Sequence, residues 1–262
     1  MGEPRSVVIT GASRGLGFAS ATRLYREGWR VVAAMRNPDR DMAALRTATG
    51  ASRDDDRLIG VQLDLLDPES ISAAAKAIED AVGAPYGLVH NAGISAAGMV
   101  EESDMALWQN MFGTHVLGPV ALTKELLPGM RAAGAGRIVV VSSAGGVRGQ
   151  PGIAAYSAAK GALERWAESM AGEIAPFGLG VTVLIAGTYD TDIITDAGTT
   201  DVRDFDGPYR THHSSIDKRG RMAMKMARSP ELFAAGLAKA LDSDKPFTKV
   251  PVGPDARMLL YI

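Results

Sequence analysis

Short runs of apolar, mostly β-branched residues alternate along the chain with longer stretches in which apolar positions recur at helical spacing. The runs are SVVIT (6–10), RVVAAM (30–35), LIGVQL (58–63), GLVH (87–90), RIVVVS (137–142) and GVTVLI (180–185). The helical patterns fall near 15–28, 39–48, 68–82, 102–133 and 155–176. A strand with one wet face alternates apolar and polar residues. These runs are continuously apolar, as in a parallel sheet covered by helices on both faces. Repeated strand–helix units with right-handed crossovers predict an α/β, Rossmann-like doubly wound parallel sheet. The three layers α/β/α form a single domain over 1–262.

The rhythm breaks in two places. ASRDDDR (51–57) is a charge run, expected as a solvated loop before the third strand. Residues 190–228 carry turn residues and mixed charge after a strand's carboxyl end, where a substrate lid would sit. No internal repeat and no Pro/Gly/Ser linker divides the chain.

Composition narrows the picture. A chain of 262 residues, 46% hydrophobic, suits one large α/β domain. With 28 basic and 30 acidic residues its formal charge is -2, which leaves no global footprint for nucleic acid or an anionic membrane. Cysteine is absent, so disulfides and thiolate metal sites are excluded, and none of Asn37, Asn91 and Asn110 opens an Asn-x-Ser/Thr site. No segment supplies the ~20 apolar residues of a spanning helix, and the apolar start is too short for a signal core. A cytoplasmic location is expected. The opening MGEPRS formally fits a myristoylation pattern, but Ser6 leads directly into a strand expected to be buried, so the match is read as chance.

The first chemical signal is TGASRGLG, where Gly11, Gly15 and Gly17 follow the first strand and open the first helix. Glycines there permit a tight turn and let backbone N–H groups approach a pyrophosphate at the positive end of the helix. The spacing G-x-x-x-G-x-G departs from the usual G-x-G-x-x-G, and a turn without a ligand is the alternative. The second signal is AAYSAAKGALERW, in which Tyr156 and Lys160 are four apart and share a helix face. An ammonium beside a phenol favours the ionised form, bringing a group of pKa ~10 toward acid/base use. Alone, such a pair is usually a surface contact. Its weight comes from VVSSAGG, where Ser143 ends a strand; strand ends and the helix starts opposite them meet at one cleft.

The glycine turn, HNAGIS after the fourth strand, VSS after the fifth and Tyr-x-x-x-Lys in the next helix together resemble the short-chain dehydrogenase/reductase (SDR) family, over about residues 6–253. The resemblance implies that Tyr156 is the general acid for reduction and the base for oxidation. Lys160 would lower its pKa and bind the nicotinamide ribose, and Ser143 would polarise the substrate oxygen, with Ser142 the nearby competitor. It also implies a cofactor held by Gly11, Ser13, Arg14, Gly15, Leu16 and Gly17 around the phosphates and adenosine ribose. Asp64 and Leu65 would meet the adenine, and Asn91, Ala92 and Gly93 its ribose. Gly187 follows the sixth strand, and Thr191 would bind the carboxamide.

Charge bears on the choice of cofactor. Met35 ends the second strand where an acidic residue would select NAD, and Arg36 follows it. Together with Arg14 it can clamp a 2′-phosphate, so NADP(H) is expected over NAD(H). Two positions depart from the family pattern. In THVLGP, His115 stands where the family's tetrad carries asparagine; the ring is expected to replace the amide's helix contact or to join the proton relay. In IAGTYDT, Ala186 replaces a proline, which loosens φ while leaving the turn possible.

The other histidines suggest no metal: His90 should be satisfied by local backbone, and His212 and His213 fall in the lid. RMAMKMA (221–227) either lines an apolar substrate pocket or packs in the core. Two functions follow. One is an NADP(H)-dependent oxidoreductase acting on a carbonyl or secondary alcohol, an apolar ketone, steroid- or lipid-like. The other is an NADP(H)-binding sensor or scaffold whose turnover the His115 change impairs. The resemblance implies a homodimer or homotetramer built through the helices near 102–133 and 155–176. The apolar end RMLLYI is expected at a subunit contact or continuing into further chain.

Overall fold

The computed structural model describes residues 4–191 and 199–260. Its strands are β1 (Ser6–Thr10), β2 (Arg30–Met35), β3 (Leu58–Gln62), β4 (Gly87–His90), β5 (Ser95–Ala97), β6 (Gly136–Ser143), β7 (Leu179–Ala186), β8 (Thr199–Asp201) and β9 (Phe247–Val252). The helices are α1 (Gly15–Arg26), α2 (Pro38–Thr49), α3 (Pro68–Val82), α4 (Met105–Phe112), α5 (Gly118–Ala133), α6 (Ala144–Val147), α7 (Ala154–Ile174), α8 (Arg210–Met224), α9 (Pro230–Leu241) and α10 (Pro254–Leu260). Seven strands make one parallel sheet in the order β3-β2-β1-β4-β6-β7-β9, and β5 pairs with β8 beside it. The order reverses between β1 and β4, so a crevice opens at their carboxyl ends.

Alternate side chains of the same strands feed two cores. Val8, Val32, Ile138 and Val183 face α3, α5 and α7, where Ile78, Leu126 and Leu163 are fully or almost fully buried. Val7, Ile9, Val31 and Leu184 face α1, α2 and α9, packing on Leu24, Leu45 and Phe233. Burial of both sheet faces is the physical cause of the continuously apolar runs.

The pattern near 102–133 is interrupted. The Asp104 carboxylate caps α4 by accepting from the Leu107 N–H at 2.8 Å, and α4 runs into a π-helical turn, Gly113–Leu117, before α5 begins. A Cβ at Gly118 would lie 2.5 Å from the Leu65 carbonyl oxygen, so glycine allows the helix to close on the β3–α3 connection. The elements after 190 were not expected: α8 lies within the proposed lid, and α9, β9 and α10 follow it. Ser229 caps α9 by accepting from the Glu231 N–H. No helix among the described residues is long and apolar enough to cross a membrane. The expectations for MGEPRS and RMLLYI fall partly on residues 1–3 and 261–262, outside the described residues, as do 192–198 of the lid.

Candidate active site

A cavity of about 530 Å³ opens at the carboxyl ends of β1, β4, β6 and β7, within the size range of small-molecule sites. The β1–α1 turn forms one end. Gly11 takes φ 69° and Gly15 φ 57°, and a Cβ on Gly17 would fall 2.3 Å from the Gly11 carbonyl oxygen. Arg14, at the N-cap, makes no side-chain cap to α1, and the N-terminus of that helix borders the cavity, where its first-turn N–H groups suit an anion. Ser13, Arg14, Gly15 and Leu16 line this end.

The NAG turn is stitched to it. The Asn91 amide donates to the carbonyls of Thr10 at 2.9 Å and Gly11 at 3.3 Å, while the Thr10 hydroxyl accepts from the N–H groups of Asn91 and Ala92, each at 3.0 Å. Asp64 accepts from the Leu66 N–H at 3.0 Å and lines the cavity with Leu65, Met35 and Arg36. These residues present a glycine cradle, a helix N-terminus and two arginines to one elongated space, a donor set that fits a dinucleotide.

Ser143, Tyr156 and Lys160 line the same cavity, the first at the end of β6 and the others one turn apart on α7. Ser143 hydrogen-bonds the Tyr156 phenol, and burial pushes that phenol above its ordinary value more than Ser143 pulls it down. The Lys160 ammonium donates to the Val141 carbonyl at 2.7 Å and lies 5.8 Å from the Tyr156 ring centroid. Burial lowers its pKa to about 8 against the opposing charge of Glu164. The Ser142 hydroxyl, at the same cavity, donates to Glu164 Oε1 at 2.6 Å; Glu164 Oε2 accepts from Lys249.

His115 is 1% exposed and does not border the cavity. Its Nε2 meets both backbone polar groups of Ile94, the carbonyl oxygen at 2.9 Å and the N–H at 3.3 Å, and its ring stands edge-on to Tyr156 with centroids 5.5 Å apart. A Cβ on Gly93 would come within 2.7 Å of the ring, so Gly93 and His115 pack as a unit. Burial, reinforced by the Lys160 charge, holds the imidazole pKa to about 3. The ring is neutral at ordinary pH, and its geometry is that of a clamp on the segment after β4.

Past β7, Ala186 keeps its register with Val252, so the missing proline leaves the ladder intact. Gly187 and Thr191 line the cavity. A Cβ on Gly187 would lie 1.9 Å from Asp255 Oδ1, and Asp255 Oδ2 accepts from the Thr188 N–H at 2.6 Å. Asp255, at the start of α10, thus reaches the cavity from a part of the chain that the motifs did not mark; the Gly-Pro-Asp sequence opening a helix is its one local signal. Asn110, Gln150, Ile153 and Tyr189 also line the cavity without having been expected.

Other expectations change. His90 bonds the Thr123 hydroxyl at 2.8 Å rather than local backbone. Met222 and Met226 are 62% and 76% exposed, so the methionine stripe neither lines this cavity nor packs in the core. His213 is fully buried against Glu102 at 2.8 Å, tying α8 to the segment that follows β5. Among the described residues no three His, Asp or Glu gather as a metal site.

Residues 5–201 match the family described as short chain dehydrogenase. The chain is 32% identical over 249 residues to the uncharacterized oxidoreductase YbbO of Escherichia coli (strain K12), covering 95% of this chain and 85% of that protein. It is 35% identical over 192 residues to retinol dehydrogenase 8 of Bos taurus, covering 72% and 60%. A crystal structure of a short-chain dehydrogenase from Streptomyces avermitilis superposes with a TM-score of 0.87 at 32% identity, covering 100% of this chain and 92% of that one.

Proposed function

The chain belongs to the short-chain dehydrogenase/reductase family of nicotinamide-dependent oxidoreductases, and on that premise we propose that it is an NADP(H)-dependent enzyme interconverting a carbonyl compound and its secondary alcohol. One observation carries this: Ser143, Tyr156 and Lys160 line the same cavity as the glycine turn. A bound nicotinamide would supply or accept the hydride at the substrate carbon. In reduction, Tyr156, kept protonated by its burial, donates its phenolic proton to the carbonyl oxygen. The Ser143 hydroxyl hydrogen-bonds that oxygen as charge develops on it, and the Lys160 ammonium stabilises the phenolate left behind. Oxidation runs these proton transfers in reverse.

Arg36 beyond Met35 and Arg14 of the glycine turn line the same cavity, which supports a 2′-phosphate. Ile94, Ala144, Ile153 and Tyr189 give the cavity an apolar wall, which supports an apolar substrate flank; retinol dehydrogenase 8 is named for such a substrate. Residues 199–228 serve as the described part of its lid: a backbone bridge between Tyr189 and Arg228 lies at the base, and Ile216 packs on Gly152 beside Ile153. Exposed Met105 and Leu117 support association of the α4–α5 face with a second copy. NADPH oxidation against a panel of apolar ketones tests the proposal, with Tyr156→Phe expected to lose at least ~10²-fold in kcat/KM. Cofactor binding without turnover, or turnover insensitive to Tyr156→Phe, would overturn it.

A further inference from the structure

Behind Tyr189 lies a second cleft, of about 610 Å³, bounded by α9, β9 and the start of α10. Tyr189 is the one residue lining both cavities, so this cleft is distinct from the reaction site. Alternation along β9 builds its floor: Thr248, Val250 and Val252 turn toward α9, while the residues between them turn to the other face of the sheet. Leu232 completes an apolar wall.

Four cations stand around that floor, Arg228, Lys239, Lys245 and Arg257, and among the described residues no carboxylate lines the cleft. In a chain of formal charge -2 this is a local excess. Elsewhere some surface cations find carboxylates, as Arg5 does with Asp242 and Lys76 with Asp80. Among the described residues, the four around the cleft make no ion pair. Gathered like charges repel, and a bound anion would offset that cost.

The cleft is also held in shape. Arg228 is fixed by its backbone, donating to the Thr188 carbonyl at 3.0 Å and accepting from the Asp190 N–H at 2.9 Å. The buried Arg137 donates to the carbonyls of Ser243 and Lys245, anchoring the loop that carries Lys245. Arg228 and Arg257 both stand near enough to the Tyr189 hydroxyl to act on it electrostatically, as does the Asp255 carboxylate, which lines the reaction cavity rather than this cleft. A second copy is a poor occupant, because a two-fold contact of this face with itself would set cations against cations. A bare inorganic anion would leave the apolar floor unused.

We propose that this cleft binds a small amphiphilic anion, its phosphate or carboxylate head held by Arg228 and Arg257 and its aliphatic part lying on Leu232, Val250 and Val252. Calorimetric titration of the full chain with monomeric decyl phosphate at low ionic strength tests it. The expected result is binding of one equivalent, weakened at least tenfold in the double variant R228Q/R257Q and unchanged in R53Q/K124Q, which removes the same charge from exposed positions elsewhere. Decanol and inorganic phosphate should each bind at least tenfold more weakly than decyl phosphate. Equal affinity in wild type and R228Q/R257Q would overturn the proposal, as would inorganic phosphate binding as tightly as the alkyl ester. Retention on phosphatidylcholine vesicles containing phosphatidylglycerol, without binding of monomeric decyl phosphate, would also overturn it, making the patch a membrane contact instead.

Discussion

Replacing Glu164 with glutamine is expected to move the alkaline limb of the pH–rate profile to lower pH. Glu164 lies one helical turn beyond Lys160 on α7 and is 1% exposed, with its oxygens taken by the Ser142 hydroxyl and the Lys249 ammonium. Its charge opposes the burial that brings Lys160 to about 8. Side chains four apart on a helix are separated by about 6 Å, where unit charges interact by about 3 kcal/mol at an effective dielectric constant near 20. Lys249, on the same carboxylate, offsets roughly half of that. About 1.4 kcal/mol remains, a tenfold change in the ionisation of Lys160. Glutamine keeps the volume and still accepts from Ser142, so charge is what changes; Lys249, whose side chain is 23% exposed, can turn to water. With Lys160 required as the ammonium, kcat/KM for carbonyl reduction should decline above about pH 8 in the wild type and above about pH 7 in Glu164→Gln. Lys249→Met, which removes the offsetting cation, should move the limb upward. Profiles from about pH 6 to about pH 9, with circular dichroism to verify folding, provide the assay. Coincident limbs in three folded proteins would refute the coupling.

His90 and His115 are both buried with pKa values lowered to about 3 from an ordinary 6.5. Below about pH 6.5 the unfolded chain takes up protons that the folded chain refuses, so their contribution is complete above that pH and is lost as pH falls toward about 3, by up to ~1.4 kcal/mol per pH unit for each ring. Urea unfolding should therefore show about 2 kcal/mol less stability at pH 5.5 than at pH 7. The double variant His90→Gln/His115→Asn should flatten that fall, and an unchanged pH slope would refute the assignment. Arg36→Asp should lower kcat/KM with NADPH by about tenfold or more while sparing NADH; an equal loss with both cofactors would show that Arg36 does not read the 2′-phosphate.

How much of this the sequence discloses depends on whether a feature is set within one element or between elements. The six continuously apolar runs are strands because both sheet faces are buried, a property written at each position. β9 escaped notice because FTKVPV includes Pro251 and alternates in character, as an edge strand can. The interruption at Gly113–Leu117 was hidden because a π-helical turn inserts into a helical hydrophobic pattern without erasing it. The reacting groups could be placed because Tyr156 and Lys160 share a helix face and Ser143 ends a strand beside it.

What surrounds those groups is a product of register. Lys249 pairs with Val183 in the β7–β9 ladder and so takes the α7 side of the sheet, where it meets Glu164 beneath Lys160. Val250 and Val252, on the opposite face of the same strand, floor the basic cleft against α9. A one-residue slip of β9 would exchange these faces, placing a lysine in the cleft and an apolar side chain on Glu164. The buried charge under the proposed catalytic lysine and the proposed anion site thus depend on one alignment at the edge of the sheet. Neither leaves a local pattern, because the two halves of each are brought together only when the last strand joins β7.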